Sequence, residues 1–351
     1  MKIALIAPLY YSVPPKTYGG TEAVIYNLAE GLIKKNYDVT VFASDKSEIS
    51  ANLDSTFGKE LDINNVTKED EEYRKKRIEY IITKSNNFDI IHNHDALIPI
   101  LFENQFKCPM VSTWHAPFRP EALKNSPEKL EKLKKTRLIS ISNSQRKSLP
   151  DANFVATVYN GTTDLNTYSL GNGGDYLVWI GRFKDYKGAG DAVQAALKAN
   201  KKLVLAGSKF NQDEIDYFNK EVKNYIDDKK IKYIGEVNLE QKVPLLQNAM
   251  AFLMPIHWEE PFGLVMIEAL SCGTPVIAYS RGSVPEIVED GKNGFIICEN
   301  DIDGMAIAIK NIDEIDRKYC RESVKRRFSI EKMVAGYEEV YCSIIKDKTK
   351  Q

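Results

Sequence analysis

The chain has 351 residues, a length that typically accommodates about two domains. Its 48 Lys and Arg residues balance 49 Asp and Glu residues to a net charge of -1, so no overall positive field would attract nucleic acid or an anionic membrane. Five cysteines lie far apart without a CxxC pair, which favours neither a disulfide framework nor a zinc site. Because the sequence shows neither a signal peptide nor an apolar window long enough to span a bilayer, we predict a cytoplasmic protein.

The first half of the chain alternates short apolar runs with helix-like segments. Each run is apolar throughout, which is typical of strands covered on both faces of a parallel sheet. Residues 21–35 carry apolar side chains at helical spacing, with Thr21 as a candidate N-cap. The predicted strands are residues 3–8, 39–43, 89–92, 110–114, 138–142 and 155–159.

A polar, glycine-rich stretch separates this series of runs from a second one. It predicts a linker at residues 166–174, between an N-terminal domain at residues 1–165 and a C-terminal domain at residues 175–328. Residues 329–351 contain a final helix that is expected to cross back to the N-terminal domain. The second strand series is residues 176–180, 202–206, 231–234, 251–255, 275–279 and 294–298. The predicted fold class is α/β, with two doubly wound, Rossmann-like parallel-sheet domains facing across a cleft.

The segment at residues 254–279 carries the strongest chemical signal. A strand ends near Pro255, a polar loop follows, and a helix begins around Phe262 and Gly263, with Gly273 as its C-terminal cap. Glu260 precedes this helix and Glu268 lies within it, with seven residues between them. The N–H groups of Gly263, Leu264 and Val265 would lie in the first helical turn, where they could bind anionic oxygens. By itself, a pair of glutamates with this spacing indicates only a favourable helix start and a solvated face.

The whole segment, Glu260-PFGLVMI-Glu268 followed by AL-S-CGTPVIA and GSVPEIVEDGKNGF, resembles the family 4 retaining glycosyltransferases, which have the GT-B fold. The resemblance implies that Glu260 contacts the transferred sugar near the reacting carbon and that Glu268 binds the ribose of the nucleotide. The sequence departs from many members at Ile256 and His257, where they have Ser after the proline, and it has an extra residue before the motif.

The same resemblance covers three further motifs: Gly181-Arg182 with Lys187-Gly188, the Gly19-Gly20 turn, and Thr113-Trp114-His115. Arg182 and Lys187 follow the first strand of the second domain, and a guanidinium with a nearby ammonium suits a departing diphosphate. Glycines let the backbone of a loop approach a phosphate closely. We expect the catalytic residues to be Glu260, His115, Arg182 and Lys187. We expect the donor to be bound by Gly19, Gly20, Gly181, Gly235, Phe262, Gly263, Leu264, Val265 and Glu268.

The remaining motifs concern the acceptor and metals. His94 and Asp95, in the run His92-Asn93-His94-Asp95, are candidate acceptor contacts together with Tyr18. The resemblance implies no metal and no cofactor, and the chain has only four histidines. The string Asp301-Ile302-Asp303 precedes a helix-like segment, so Asp303 is interpreted as an N-cap rather than a metal ligand.

These motifs predict an enzyme that transfers a hexose, with retention of configuration, from a nucleotide-diphosphate sugar of the UDP-hexose or GDP-mannose type. The expected acceptor is a sugar, a lipid-linked sugar or a small molecule, as in glycan or polysaccharide synthesis. The alternatives are a sugar-nucleotide epimerase of the same fold and a catalytically silent nucleotide-sugar binder. The Lys-rich residues 121–137 form a helix-like stretch that is typical of a solvated face, with peripheral membrane contact as the alternative. The oligomeric state is not predicted.

Overall fold

The structure, a computed structural model, describes residues 1–16, 19–162 and 167–348. The chain divides into two compact units. The first unit consists of residues 1–161 together with the last helix, which begins at Ile330, and the second unit consists of residues 162–329. The first unit therefore ends four residues before the predicted domain end at 165, and the second unit ends one residue after the predicted domain end at 328.

The first unit contains a seven-stranded parallel sheet in the order β3-β2-β1-β4-β5-β6-β7. The strands are β1 (Lys2–Ile6), β2 (Asp38–Phe42), β3 (Asn52–Asp54), β4 (Ile90–Asn93), β5 (Met110–Thr113), β6 (Leu138–Ser140) and β7 (Phe154–Thr157). The helices are α1 (Gly20–Lys34), α2 (Lys68–Lys84), α3 (Leu97–Leu101), α4 (Pro127–Lys135) and α5 (Asn143–Arg146). The central strands are buried, with Ile3, Ala4 and Leu5 fully inaccessible, as expected for a sheet covered on both faces.

The second unit contains a six-stranded parallel sheet in the order β10-β9-β8-β11-β12-β13. The strands are β8 (Tyr176–Ile180), β9 (Lys202–Ala206), β10 (Ile231–Tyr233), β11 (Ala249–Met254), β12 (Val276–Tyr279) and β13 (Gly294–Ile297). The helices are α6 (Ala189–Lys198), α7 (Gln212–Glu221), α8 (Leu239–Gln247), α9 (Leu264–Ser271), α10 (Val284–Ile287), α11 (Ile302–Lys310) and α12 (Arg317–Arg327). Both strand orders double back beside the first strand of their unit, which is the arrangement of a doubly wound sheet.

The last helix, α13 (Ile330–Lys348), packs on α1 in the first unit. A Cβ atom on Gly31 of α1 would lie 2.4 Å from Cγ2 of Val334, so the two helix backbones approach closely at that glycine. Tyr337 and Tyr341 of the same helix are fully buried. The hydroxyl of Tyr341 is 2.6 Å from Nδ1 of His92, which lies on β4. The final helix therefore completes the core of the unit that contains the chain's first residues.

The twelve predicted strands are all present, and three local predictions need correction. The short strand β3 was missed because Asn52, Leu53 and Asp54 form no apolar run. Helix α1 begins one residue early, at Gly20, and its N-cap is Gly19 rather than Thr21. The N-cap of α11 is Asp301, whose side chain accepts a hydrogen bond from the Gly304 N–H at 2.7 Å, so the assignment to Asp303 was wrong.

The glycine-rich stretch before β8 is not a free connector where it is described. The Gly171 N–H donates to the carbonyl of Cys272, and the Gly173 N–H donates to the carbonyl of Gln247. A Cβ atom on Gly171 would lie 2.2 Å from the Gln247 carbonyl oxygen. The glycines therefore permit this segment to pack closely on the rest of the second unit.

Candidate functional site

Two loops at the carboxyl edge of the second sheet lie against each other. The first follows β8 and contains Lys187 and Gly188, and the second follows β11 and contains residues 255–263. The His257 N–H donates to the Tyr186 carbonyl at 2.8 Å. Gly188 has φ 70°, and a Cβ atom there would lie 1.8 Å from the Pro255 carbonyl oxygen. Only glycine allows this contact, which brings the predicted Lys187 and Glu260 together.

Glu260 is the centre of the charged groups on these loops. Its Oε2 atom is 2.6 Å from Nζ of Lys187 and 2.8 Å from Nε1 of Trp258. Nζ of Lys187 also lies 4.5 Å from the centroid of the Trp258 ring. The carboxylate and the ammonium neutralise each other, so an arriving anion must compete with Glu260 for Lys187. The role of Trp258 was missed because its position beside the predicted glutamate does not reveal its contacts.

Arg182, the other predicted cation, has a different carboxylate partner. Its guanidinium pairs with Glu214 of α7, which is 1% exposed and also accepts the Phe210 N–H at 2.8 Å. The Arg182 guanidinium lies 4.8 Å from the centroid of the Phe210 ring. The sequence motif predicted two cations for a diphosphate, and in the structure Arg182 is paired with Glu214 and Lys187 with Glu260. Glu214 was missed because its spacing from Asn211 indicates only a helix start.

The N-terminus of α9 lies directly after Glu260. Gly263 is its N-cap, with φ 78°, and a Cβ atom there would lie 2.7 Å from Cε of Met266. The Met266 N–H is already bonded to the Gly263 carbonyl at 2.9 Å. Leu264 and Val265 are the first two residues of the helix, and the Phe262 side chain before it is buried. The helix start therefore offers backbone donors and a partial positive charge next to Glu260.

Glu268 lies within α9 itself. Its Oε1 atom is 2.8 Å from Nζ of Lys242 and accepts the Tyr168 hydroxyl at 2.9 Å. Of the predicted glycines, Gly181 donates its N–H to the Ala206 carbonyl, and Gly235 has φ 81° with no neighbouring atom within 4 Å of where a Cβ atom would lie. Gly181 and Gly235 follow β8 and β10, at the same edge of the sheet as Glu260.

In the first unit, the predicted glycines Gly19 and Gly20 lie at the start of α1. Gly19 has φ 144°, and a Cβ atom there would lie 2.7 Å from Cβ of Pro15 and 3.0 Å from Oε2 of Glu22. Glu22 is 3% exposed, and its burial raises the pKa of the carboxyl to about 7. Tyr18 lies outside the described residues. A carboxyl with a pKa raised to about 7 therefore lies beside the glycine turn, a feature that the sequence did not indicate.

Three histidines lie in a row beside the ends of β4 and β5. His92 and His94 have ring centroids 3.9 Å apart, and Nδ1 of His94 is 2.8 Å from Nε2 of His115. Nε2 of His92 is 2.7 Å from Oγ1 of Thr113. Burial lowers the pKa of His115 to about 3 and holds the pKa values of His92 and His94 well below the ordinary value. At neutral pH, His115 is therefore an uncharged hydrogen-bonding group held by His94.

Asp95 is buried and paired with two arginines of α2. It is 2% exposed, its Oδ1 atom is 2.7 Å from Nη2 of Arg74, and its Oδ2 atom is 3.3 Å from Nη1 of Arg77. Arg77 also donates to the Phe42 carbonyl at 2.7 Å. Desolvation raises the pKa of Asp95, while the two guanidinium groups oppose that shift. Asp95 thus ties α2 to the sheet, and both arginines were missed by the sequence analysis.

The predicted basic stretch is not one helix. Residues 124–126 separate a short 3-10 helix, Pro120–Leu123, from α4, which begins at Pro127. Leu133 of α4 is buried in the core of the unit, with Leu130 packed against that core, so these apolar side chains are engaged inside the protein. Among the described residues, no helix has both the length and the apolar content that a bilayer crossing needs.

No set of three His, Cys, Asp or Glu side chains within residues 1–16, 19–162 and 167–348 is arranged to hold a metal ion. The histidines of the first unit contact each other, Thr113 and Tyr341. Asp301 caps α11, and Asp303 is paired with Lys198 at 2.6 Å.

Several proteins of known class are similar to this chain. It is 29% identical to an uncharacterized glycosyltransferase of Methanocaldococcus jannaschii, over 74% of this chain and 77% of that protein. It is also 29% identical to N-acetyl-alpha-D-glucosaminyl L-malate synthase of Bacillus anthracis, but there the match covers 51% of this chain and 48% of the relative. The chain thus matches about half the length of that enzyme.

Solved structures show the same fold at low sequence identity. Sucrose-phosphate synthase from Thermosynechococcus elongatus superposes with a TM-score of 0.78 at 20% identity, covering 99% of both chains. Anabaena HepE, solved in complex with UDP and glucose, superposes with a TM-score of 0.76 at 17% identity, covering 98% of this chain and 100% of that one. Together with the two parallel sheets, these likenesses show that the fold is GT-B.

Two family models match successive parts of the chain. The model "Glycosyltransferase Family 4" matches residues 18–163, and "Glycosyl transferases group 1" matches residues 164–327. The matches follow one another in the chain order of the two units, and together they extend over most of the sequence. The chain therefore belongs to the family 4, group 1 glycosyltransferases.

Proposed function

We propose that this glycosyltransferase moves a hexose from a nucleoside-diphosphate sugar to an acceptor hydroxyl with retention of configuration and without a metal or other cofactor. The observation that carries the proposal is the Lys187–Glu260 pair at the N-terminus of α9, with Glu268 on the same helix. An ammonium and helix N–H groups bind diphosphate oxygens, and a carboxylate beside them suits a sugar with developing positive charge. The complexes of Anabaena HepE with UDP and with UDP-glucose support a donor of this class.

Donor binding in this proposal replaces internal ion pairs with bonds to the ligand. The diphosphate would take Lys187 from Glu260 and would bind Arg182 and the N–H groups of Leu264 and Val265. Its negative charge grows as the bond to the sugar breaks, so these contacts are stronger in the transition state than in the ground state. Glu268, already bonded to Lys242, would accept hydrogen bonds from the ribose hydroxyls through its carboxylate.

Within the second unit, Glu260 would support the sugar; His115 of the first unit is proposed separately, from the family resemblance, as a sugar contact. A carboxylate stabilises an oxocarbenium-like carbon and positions the ring hydroxyls, and a neutral imidazole can bond a hydroxyl without adding positive charge. The acceptor hydroxyl would attack from the face that the diphosphate leaves, with a phosphate oxygen taking its proton. This route accounts for retention without a carboxylate nucleophile and without a metal.

The acceptor and the place of action are also proposals. An O-antigen chain mannosyltransferase of Escherichia coli is 22% identical over 99% of this chain and 100% of that protein, which supports a role in polysaccharide synthesis. We propose that the enzyme acts in the cytoplasm and that its acceptor is a sugar, a lipid-linked sugar or a small molecule. Because Leu130 and Leu133 pack in the core, contact of α4 with a membrane face would be electrostatic, through its lysines.

The test is a transfer assay of the purified protein with UDP-, GDP- and ADP-sugars and a panel of acceptors. NMR of the product is expected to show the donor's anomeric configuration, and excess EDTA is expected to leave the rate unchanged. An inverted product, or a rate abolished by EDTA and restored by one divalent ion, contradicts the mechanism. A free epimerised sugar would indicate the epimerase instead.

Arg182→Ala tests the diphosphate contact. The substitution is expected to remove about 2 to 4 kcal/mol of transition-state stabilisation and to lower turnover accordingly. The reason is that it removes a largely buried, charge-assisted hydrogen-bond donor. The control is Arg326→Ala on α12, whose side chain is 54% exposed and paired with Glu289. Equal turnover in the two variants would exclude Arg182 from the site.

A further inference from the structure

We infer that Trp258 is a positioning residue whose indole N–H keeps Glu260 oriented toward the sugar while the donor diphosphate draws Lys187 away. This inference rests on the proposed function, since it concerns what happens to Glu260 when a nucleotide sugar binds. It adds a residue with no assigned role to the site.

The backbone of Glu260 is held independently of its side chain. The Ser283 N–H donates to the Glu260 carbonyl at 2.9 Å. Gly282 has φ 55°, and a Cβ atom there would lie 2.3 Å from both the nitrogen and the carbonyl oxygen of Glu260. With its backbone fixed in this way, Glu260 can change the aim of its carboxylate only by rotating its side chain. The contacts of that carboxylate therefore decide its direction.

Two donors of different kinds hold that carboxylate. Nζ of Lys187 and Nε1 of Trp258 both bond Oε2, at 2.6 and 2.8 Å. In the described part of the chain, the side-chain hydrogen bonds of Glu260 all go to Oε2, so Oε1 keeps its capacity to accept a hydrogen bond. The ammonium is charged and sits on a flexible stem, so a diphosphate can compete for it. The indole N–H is neutral, and a phosphate therefore attracts it far less.

The Trp258 ring is anchored on the opposite loop. It stacks on the Tyr186 ring with centroids 4.7 Å apart and an interplanar angle of 29°. The neighbouring His257 N–H bonds the Tyr186 carbonyl at 2.8 Å, so both loops hold the indole in place. When Lys187 moves to the diphosphate, Trp258 retains one bond to Oε2. Without that bond, the carboxylate would lose both of its partners at the step in which it is needed.

The test compares the wild-type enzyme with Trp258→Phe, which keeps an aromatic ring but lacks the N–H. Loss of a hydrogen bond to a charged group is expected to lower kcat about tenfold or more, while the affinity for UDP or GDP, measured by calorimetry, changes less than about twofold. Placing 3-benzothienylalanine at position 258 keeps the shape of the indole and replaces its N–H with sulfur, so it gives the same result even if the Phe ring packs poorly.

The matched control is Tyr319→Phe, which removes another neutral aromatic donor from a carboxylate of the same unit, the 2.8 Å bond to Glu289. This variant is expected to change thermal stability without changing kcat. A double-mutant cycle with Glu260→Ala then tests the route of the effect: if Trp258 acts through Glu260, removing the N–H has no further effect on single-turnover rates in the Ala background.

The outcomes separate this inference from the proposed function. A wild-type enzyme that transfers no sugar contradicts the proposed function, and this inference with it. An active wild type with an unchanged kcat in both position-258 variants overturns the inference alone. So does a parallel loss of nucleotide affinity and kcat that persists in the Glu260→Ala background, because Trp258 would then be only part of the packing around the donor.

Discussion

Burial shifts the pKa of several side chains in the first unit. Glu22 is the clearest example, since its carboxyl is almost inaccessible beside the Gly19 turn and near Asp95. Burial raises its pKa from 4.5 to about 7. The native state therefore binds a proton at pH 5 to 6 that the unfolded chain has released.

Glu22→Gln is expected to remove this proton linkage. A raised native pKa gives a contribution that is complete below pH 4.5 and is lost as the pH rises through about 7. The difference in the free energy of unfolding, variant minus wild type, should increase by about 3 kcal/mol between pH 4.5 and pH 8, at 1.36 kcal/mol per pKa unit. Urea unfolding followed through Trp114, the tryptophan of the first unit, measures it.

Glu30→Gln is the matched control, because Glu30 lies on the same helix with its side chain reaching the surface and bonding the Ser50 N–H at 3.0 Å. Parallel pH profiles for wild type and Glu22→Gln would show that the pKa of Glu22 is the same in the native and unfolded states.

Helices pack most closely where the sequence supplies a glycine. At Gly31, α1 approaches α13 so closely that an added methyl group would overlap Val334. Val334 is 2% exposed, so it has little room to move aside. The packing of α1 against α13 therefore requires a glycine at position 31.

Gly31→Ala is expected to destabilise the first unit by about 1 to 3 kcal/mol, since overpacking outweighs the better helix propensity of alanine. Val334→Ala should recover part of that loss in the double variant, because it removes the overlapping methyl groups. Thermal and urea unfolding of the four proteins gives the coupling free energy. Gly336→Ala on α13 is the control, where the nearest atom would be Val158 Cγ1 at 3.2 Å. Additive effects of Gly31→Ala and Val334→Ala would contradict the contact.

The sequence predicted the elements better than the contacts between them. Buried strands are continuous apolar runs, so twelve of them could be recognised, while the polar edge strand β3 could not. Glu260 and Lys187 could be proposed from motifs, but their mutual ion pair joins residues 73 positions apart. Arg182 and Glu214 are 32 positions apart, and a local pattern carries no information about such a pair. The predicted N-caps of α1 and α11 lie two residues from the observed ones, because several neighbouring residues can serve as an N-cap.

At the scale of the whole molecule, the chain leaves its first unit at residue 161 and returns to it at Ile330. The second unit, residues 162–329, is a continuous segment with its own six-stranded sheet. The first unit is discontinuous and requires α13, which contributes the buried Tyr337 and Tyr341. The two units should therefore respond differently when the chain is divided.

We expect residues 162–329, expressed alone, to unfold cooperatively on heating. Residues 1–161 should lack a cooperative transition, because the face of α1 around Gly31 and the ring of His92 lose their cover. Adding a peptide of residues 330–348 should restore the transition, whereas the same peptide with Tyr337 and Tyr341 replaced by Ser should not. Circular dichroism during thermal unfolding measures both. A cooperative transition in residues 1–161 alone would show that the first unit folds without α13.

The return of the chain at Ile330 also sets an order of events on the ribosome. The seven strands of the first unit are synthesised before residues 162–329, whereas α13, which packs on α1, is synthesised after them. At about 5 to 20 residues per second, the nascent first unit waits on the order of ten seconds with an uncovered apolar face. The second unit can complete its core during that wait. Folding on the ribosome thus finishes in the opposite order to synthesis, and the waiting first unit is the part of the nascent chain that chaperones would bind.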